Sequence, residues 1–122
     1  IFVLMLQLTK AEEEVMQVLW SLDQSFVKEM IPYFPDPKPA YNTVSTIIRI
    51  LENKGFVAND IFGRTHRYKP VISKKTYSKQ QTNTLVNNFF KGSYQDMLSY
   101  FIKDKKISLS ELENILNDLK KQ

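Results

Sequence analysis

The sequence predicts a mainly α-helical protein with one small β-hairpin. Apolar residues recur at helical spacing in six separate stretches, Ser/Thr-x-x-acid boxes open several of them, and two short segments around Gly63 have the form of a hairpin. The 122 residues amount to one domain or two very small ones, and 43% hydrophobic with 25% charged residues is ordinary globular composition.

Thr9-Lys10-Ala11-Glu12 is a capping box, and Ala11, Val15, Val18, Leu19 and Leu22 follow at helical spacing, so a helix is expected from about 10 to 21. Glu12, Glu13 and Glu14 lie in its first turn, where the helix dipole favours acids. Ser25 is expected to cap a second helix carrying Phe26, Val27, Met30 and Ile31, which ends or kinks at Ile31 because Pro32 removes a backbone donor. Pro35, Pro37 and Pro39 make residues 32–39 a stiff connector. Residues 42–54 read as a third helix with Val44, Ile47, Ile48 and Leu51 in one apolar stripe, opposite Asn42, Ser45, Thr46, Arg49 and Asn53, and Gly55 stops it. Residues 56–61 and 64–69 form the hairpin, turning at Phe62-Gly63.

Ser73 is expected to cap a helix to about Lys91, with Tyr77, Thr84, Leu85 and Phe89 near one face and Gly92 ending it. Ser93-Tyr94-Gln95-Asp96 and Ser108-Leu109-Ser110-Glu111 are further capping boxes. The first opens a helix with Met97, Leu98, Phe101 and Ile102, the second one with Leu109, Leu112, Ile115, Leu116 and Leu119. Two helices joined by a turn and followed by a two-stranded wing are a winged helix-turn-helix, here over residues 1–72, followed by a helical region over 73–122.

Composition excludes several function classes. The chain has no Cys and one His, His66, so disulfides, thiolate metal sites, Cys nucleophiles and multi-imidazole sites are absent. Gly55, Gly63 and Gly92 match no phosphate-cradling motif, and no nucleophile–base pair, paired-carboxylate motif or metal triad is visible, so no enzyme, cofactor or metal is expected. The apolar run Ile1–Leu6 is too short to span a membrane and lacks the basic start and small-residue cleavage site of a signal peptide. A short strand or frayed end is expected there, with Met5 a candidate natural start, in a soluble cytoplasmic protein.

The net charge of +4 conceals a segregation. Residues 1–37 sum to −4, residues 38–75 to +6 and residues 76–122 to +2. Positive charge thus gathers on the third helix, the hairpin and the segment after it, the elements a winged helix presents to a duplex. The outward face of the third helix carries side chains that hydrogen-bond base edges or phosphates, and no acid until Glu52 at its flank. At the hairpin tip Arg64 is placed to reach a phosphate or the minor groove, while His66 reads as a packing or phosphate-side residue. The competing reading is a protein-interaction adaptor with no DNA target, which a weak dependence of binding on salt would favour.

The segment from Leu8 to Trp20 resembles the opening of the penicillinase-repressor (BlaI/MecI/CopY-type) family. Residues Asn42 to Val57 resemble its recognition helix and Lys-Gly turn, and Gly63 to Pro70 its wing. Lys91-Gly92, a short helix and the Leu-rich last helix fit its dimerisation part, so the resemblance covers about residues 8–120. It implies a homodimeric bacterial repressor, with relatives in antibiotic resistance, that binds a palindromic operator. Asn42, Thr43, Ser45, Thr46 and Arg49 match the operator-facing positions and Gly63, Arg64 and Thr65 the wing. In the antibiotic-responsive members a membrane sensor-protease triggers cleavage in the dimerisation part. The matching bond is Tyr100–Phe101, with Tyr100 where the family has Asn. The copper-responsive branch uses a C-terminal Cys cluster, which this chain lacks.

The apolar stripes of the last helices, with Met97, Leu98, Phe101, Leu112, Ile115, Leu116 and Leu119, exceed what Tyr77, Leu85, Phe89 and Phe90 can cover within one subunit. Together with Phe89 they form the expected dimerisation surface. Two departures stand out: Ala40 occupies a helix-cap position, and the proline-rich link before it is longer and stiffer than the family's.

Overall fold

The computed structural model describes residues 7–121, so the reading of Ile1–Leu6 lies outside the described residues. The chain divides into two compact units, Ile1–Lys79 and Gln80–Gln122.

The first unit holds α1 (Lys10–Leu22), β1 (Ser25–Phe26), α2 (Val27–Met30) leading into a 3₁₀ turn at Ile31–Tyr33, α3 (Tyr41–Asn53), β2 (Val57–Phe62), β3 (Thr65–Pro70) and the start of α4 (Lys74–Phe89). Thr9 caps α1 as expected: its hydroxyl accepts from the Glu12 N–H at 3.2 Å, and the Glu12 carboxylate accepts from the Thr9 N–H at 2.8 Å. The apolar stripe of α1 (Val15, Met16, Leu19) meets that of α3 (Val44, Ile48, Leu51), with Phe56 and Val57 closing the core beneath.

Ser25 departs from expectation. It does not cap a helix but is buried in a two-residue strand paired with Tyr68, and its hydroxyl donates to the Phe26 carbonyl at 2.8 Å. The sheet is therefore three-stranded, in the order β1-β3-β2, all antiparallel. α2 is correspondingly short, and its start is held by the Glu29 carboxylate, which accepts from the Phe26 N–H at 3.4 Å. Pro32 ends it as expected, sitting in the first turn of the 3₁₀ segment, where its missing N–H is not needed. The connector is pinned by Lys38, whose ammonium donates to the carbonyls of Pro32 (3.2 Å) and Phe34 (2.8 Å) while the Phe34 ring is buried.

α3 begins at Ala40, which is extended and offers only its carbonyl, accepting from Thr43 and Val44. It ends in a Schellman motif: Phe56 N–H donates to the Leu51 carbonyl at 2.9 Å and Gly55 N–H to that of Glu52 at 3.0 Å, with Gly55 at φ 86°. The hairpin turn comprises Gly63 and Arg64, one residue later than expected, because Phe62 remains paired with Thr65. Gly63 has φ 63° and the Thr65 hydroxyl donates to the Phe62 carbonyl at 2.8 Å.

The first turns of α4 belong to this unit. Ser73 caps the helix, accepting from the Thr76 N–H at 3.1 Å. Tyr77 is buried against Trp20 and Phe56, with ring centroids at 5.7 and 5.8 Å, and its hydroxyl donates to Glu13 at 2.6 Å. The Trp20 indole N–H donates to the Ile72 carbonyl at 2.9 Å. Tyr77 is thus a core residue of the first unit and not an apolar partner for the tail, because Trp20 and Phe56 build a socket that only the folded chain assembles. Burial, reinforced by the hydrogen bond to Glu13, pushes its phenol far up.

The second unit contains the remainder of α4, α5 (Tyr94–Lys103) and α6 (Leu109–Lys120). Ser108 forms its full capping box with Glu111. Ser93 forms half of one: its hydroxyl accepts from Asp96, while its own N–H donates to the Phe90 carbonyl at 2.9 Å. Phe90 packs edge-on against Tyr100 at 5.7 Å, and Tyr94 hydrogen-bonds Asn83. Val86 alone among the described residues of this unit is buried. Phe89, Leu98, Ile115, Leu116 and Leu119 are exposed and Met97, Phe101 and Leu112 half-buried.

No helix among the described residues is long and apolar enough to cross a membrane.

Candidate nucleic-acid interface

α3 points one side inward and one outward. Val44, Ile48 and Leu51 are at most 1% exposed, while Asn42, Thr43, Thr46 and Arg49 are exposed and Ser45 half-buried. This division follows from the 100° step of the helix once the apolar stripe is buried. Arg49 lies along the helix surface with its Nε donating to the Ser45 carbonyl at 3.2 Å. Gly63, Arg64 and Thr65 are exposed at the tip of the hairpin.

Between α3 and the hairpin runs a cleft of about 460 Å³. It brings together four of the sequence-derived positions, Ser45, Arg49, Arg64 and Thr65. Asn42, Thr43 and Thr46 lie on the exposed face of α3 outside it, and Gly63 at the turn. Lys28, Tyr41, Asn59 and His66 also line the cleft and were not singled out as site residues by sequence. The first two flank the outward face of α3 from α2 and from its own first turn. The other two enter through strand pairing, since alternate residues of β2 and β3 face α3.

Glu52, the acid lining the cleft, is held by a neighbour. Asn59 Nδ2 donates to the Glu52 carboxylate, and Asn59 Oδ1 stands 2.9 Å from His66 Nδ1. On the other side of the sheet Arg67 lies 4.4 Å above the Phe62 ring, and Lys69 pairs with Asp60 at 3.6 Å, so these two cations serve the wing's own structure. Lys54 is likewise spent, its ammonium contacting both oxygens of the buried Glu12 at 2.8 and 2.9 Å. The cations lining the cleft are Lys28, Arg49 and Arg64.

A family model described as penicillinase repressor matches residues 8–121. The chain belongs to the penicillinase-repressor family. Members of this family are transcriptional repressors rather than enzymes, and this member is a bacterial transcriptional repressor. It is 27% identical over 118 residues to the penicillinase repressor of Bacillus licheniformis, covering 93% of this chain and 92% of that one. It is 22% identical over 117 residues to the methicillin resistance regulatory protein MecI of Staphylococcus aureus (strain N315), covering 95% of each. The corresponding protein of Mammaliicoccus sciuri is 21% identical over the same length.

Proposed function

We propose that this repressor binds a palindromic operator in duplex DNA as a homodimer, reading it with α3 and gripping it with the wing. The observation that carries this reading is the outward side of α3, where Asn42, Thr43, Ser45, Thr46 and Arg49 present hydrogen-bonding groups while Glu52, the nearest acid, is tied to Asn59. Gly63, Arg64 and Thr65 at the hairpin tip take the adjacent backbone or minor groove. DNA binding resides in residues 1–72 and dimerisation in 73–122.

The exposed apolar side chains of the second unit support a twofold partner. Phe89, Leu98, Ile115, Leu116 and Leu119, with the half-buried Met97, Phe101 and Leu112, make an apolar surface that a second copy would cover. A dimer holds two recognition helices about 34 Å apart, one duplex turn. The names of the relatives support a regulatory role in antibiotic resistance. A cytoplasmic location and a membrane sensor-protease as inducing partner belong to the same proposal and rest on the family resemblance alone. Release follows when the dimerisation region is disrupted or cut. The bond matching the family's cleavage site, Tyr100–Phe101, lies within α5, where the two carbonyls accept from Asp104 and Lys106. A protease reads extended backbone, so α5 unwinds before this bond is cut.

The test is the double variant Thr46→Ala, Arg49→Ala. With each lost base contact costing about 1–3 kcal/mol, specific binding falls roughly a hundredfold or more in an anisotropy titration against the duplex selected by the wild-type protein from a random pool. Unchanged affinity would overturn the reading.

A further inference from the structure

We propose that His66 is a proton-linked ligand for the sugar–phosphate strand lodged between α3 and the wing, held in place through Asn59 by Glu52. The inference rests on the DNA-binding reading above. A helix in the major groove and a hairpin in the neighbouring minor groove straddle one sugar–phosphate strand. The cleft of about 460 Å³ between α3 and the hairpin is where that strand runs.

The lining suits a phosphodiester. Lys28 from α2, Arg49 from α3 and Arg64 from the turn supply positive charge, and Tyr41 and Tyr68 supply hydroxyls. Among the described residues Glu52 is the sole carboxylate lining the cleft, and it accepts from Asn59 Nδ2. That bond fixes which way the Asn59 amide points, so its Oδ1 faces His66 Nδ1 at 2.9 Å. A carbonyl oxygen accepts only, so His66 Nδ1 carries the proton in either charge state. The ring lies stacked near Tyr68, centroids 6.4 Å apart, which fixes its plane. Its second nitrogen, Nε2, is the atom that changes. In the neutral ring it repels a phosphate oxygen as a fellow acceptor, and in the imidazolium it donates a charge-assisted hydrogen bond. The Glu52–Asn59 pair keeps the ring in one orientation through both states, so protonation adds a donor without moving the site.

The sign follows from linkage. Phosphate binding favours the imidazolium, so affinity is greatest below the imidazole range and is lost as pH rises through it. The phosphate contact reads no sequence, so the probe is a mixed-sequence duplex of about 30 base pairs, room for two half-sites one turn apart. Anisotropy titrations of the full chain run from about pH 5.5 to about pH 8 at several salt concentrations.

Affinity is expected to be about three- to tenfold higher at the acid end, and the slope of log K against log salt to steepen by about 0.9 for each His66 that engages a phosphate. His66→Gln, which has no titrating ring, is expected to lose both pH effects. Asn59→Ala, folded by circular dichroism, should fall between the two. Because this is the chain's only histidine, its imidazole resonances report directly whether the duplex engages it.

A wild type that binds with no pH dependence, or a His66→Gln variant that keeps it, overturns the His66 assignment and leaves the DNA reading intact. A full effect in Asn59→Ala overturns the positioning role. No binding to any duplex at low salt overturns both readings.

Discussion

The Lys54 ammonium meets a carboxylate that the rest of the fold has taken out of water. Glu12 is 5% exposed, and burial pushes its carboxyl up. The Lys54 hydrogen bonds and the Thr9 N–H outweigh this and hold it below the usual carboxylate range. The lowered value means that the pair's contribution is complete above the unfolded-state value of about 4.3 and is lost as pH falls through the folded-state one. Lys54→Met strands a buried charge. It should lower stability by about 2 kcal/mol near neutral pH, less than for a fully buried pair because Lys54 is partly exposed. The difference from wild type should close in acid, in urea titrations repeated between about pH 3 and about pH 7. The sequence placed Glu12 in a capping box, which it is, but a partner 42 positions away leaves no local periodicity to find. The same limit hid Asn59, Lys28 and Tyr41 from the candidate site. Their roles arise when the hairpin and α2 close around α3.

Elements bounded by short-range chemistry were legible. The Thr9 and Ser108 boxes, the cap at Ser73 and the Gly55 terminator depend on residues within a turn of each other, and each forms where the pattern put it. The outward face of α3 was legible for the same reason, since burial of one stripe dictates the opposite one. Ser25 was misread because its cap pattern competes with pairing to Tyr68, a partner supplied by the far strand. The half-formed Ser93 box failed because the chain bends back there and Phe90 claims the N–H. Gly55 offers a test at this scale. At φ 86° a side chain is strained, so Gly55→Ala should cost about 1–2 kcal/mol, read as a lower urea midpoint with the m-value unchanged. The variant should still bind DNA, since the outward face of α3 ends before it.

Across the whole molecule the two units are built unequally. The first has a continuous apolar core, while the second buries Val86 and leaves its apolar stripes open. In the proposed dimer, two weak DNA contacts linked through the second unit would gain about 10² to 10⁴-fold in affinity through effective concentration. Truncation after Lys91 should therefore give a monomer by sedimentation velocity, with operator affinity lower by that order and α3 unaltered. A truncated chain that remains dimeric and binds as tightly would remove the coupling. The chain's only tryptophan, Trp20, is lodged on the first unit, beside Tyr77 and bonded to the Ile72 carbonyl. Indole emission therefore reports the packing of Trp20 on Tyr77 and Ile72, whereas far-ultraviolet ellipticity sums the helices of both units. Where an inducer melts α5 and α6 and the first unit stays folded, the ellipticity falls while the contacts of Trp20 with Tyr77 and Ile72 persist, so a spectrometer separates loss of the tail from loss of the first unit's fold.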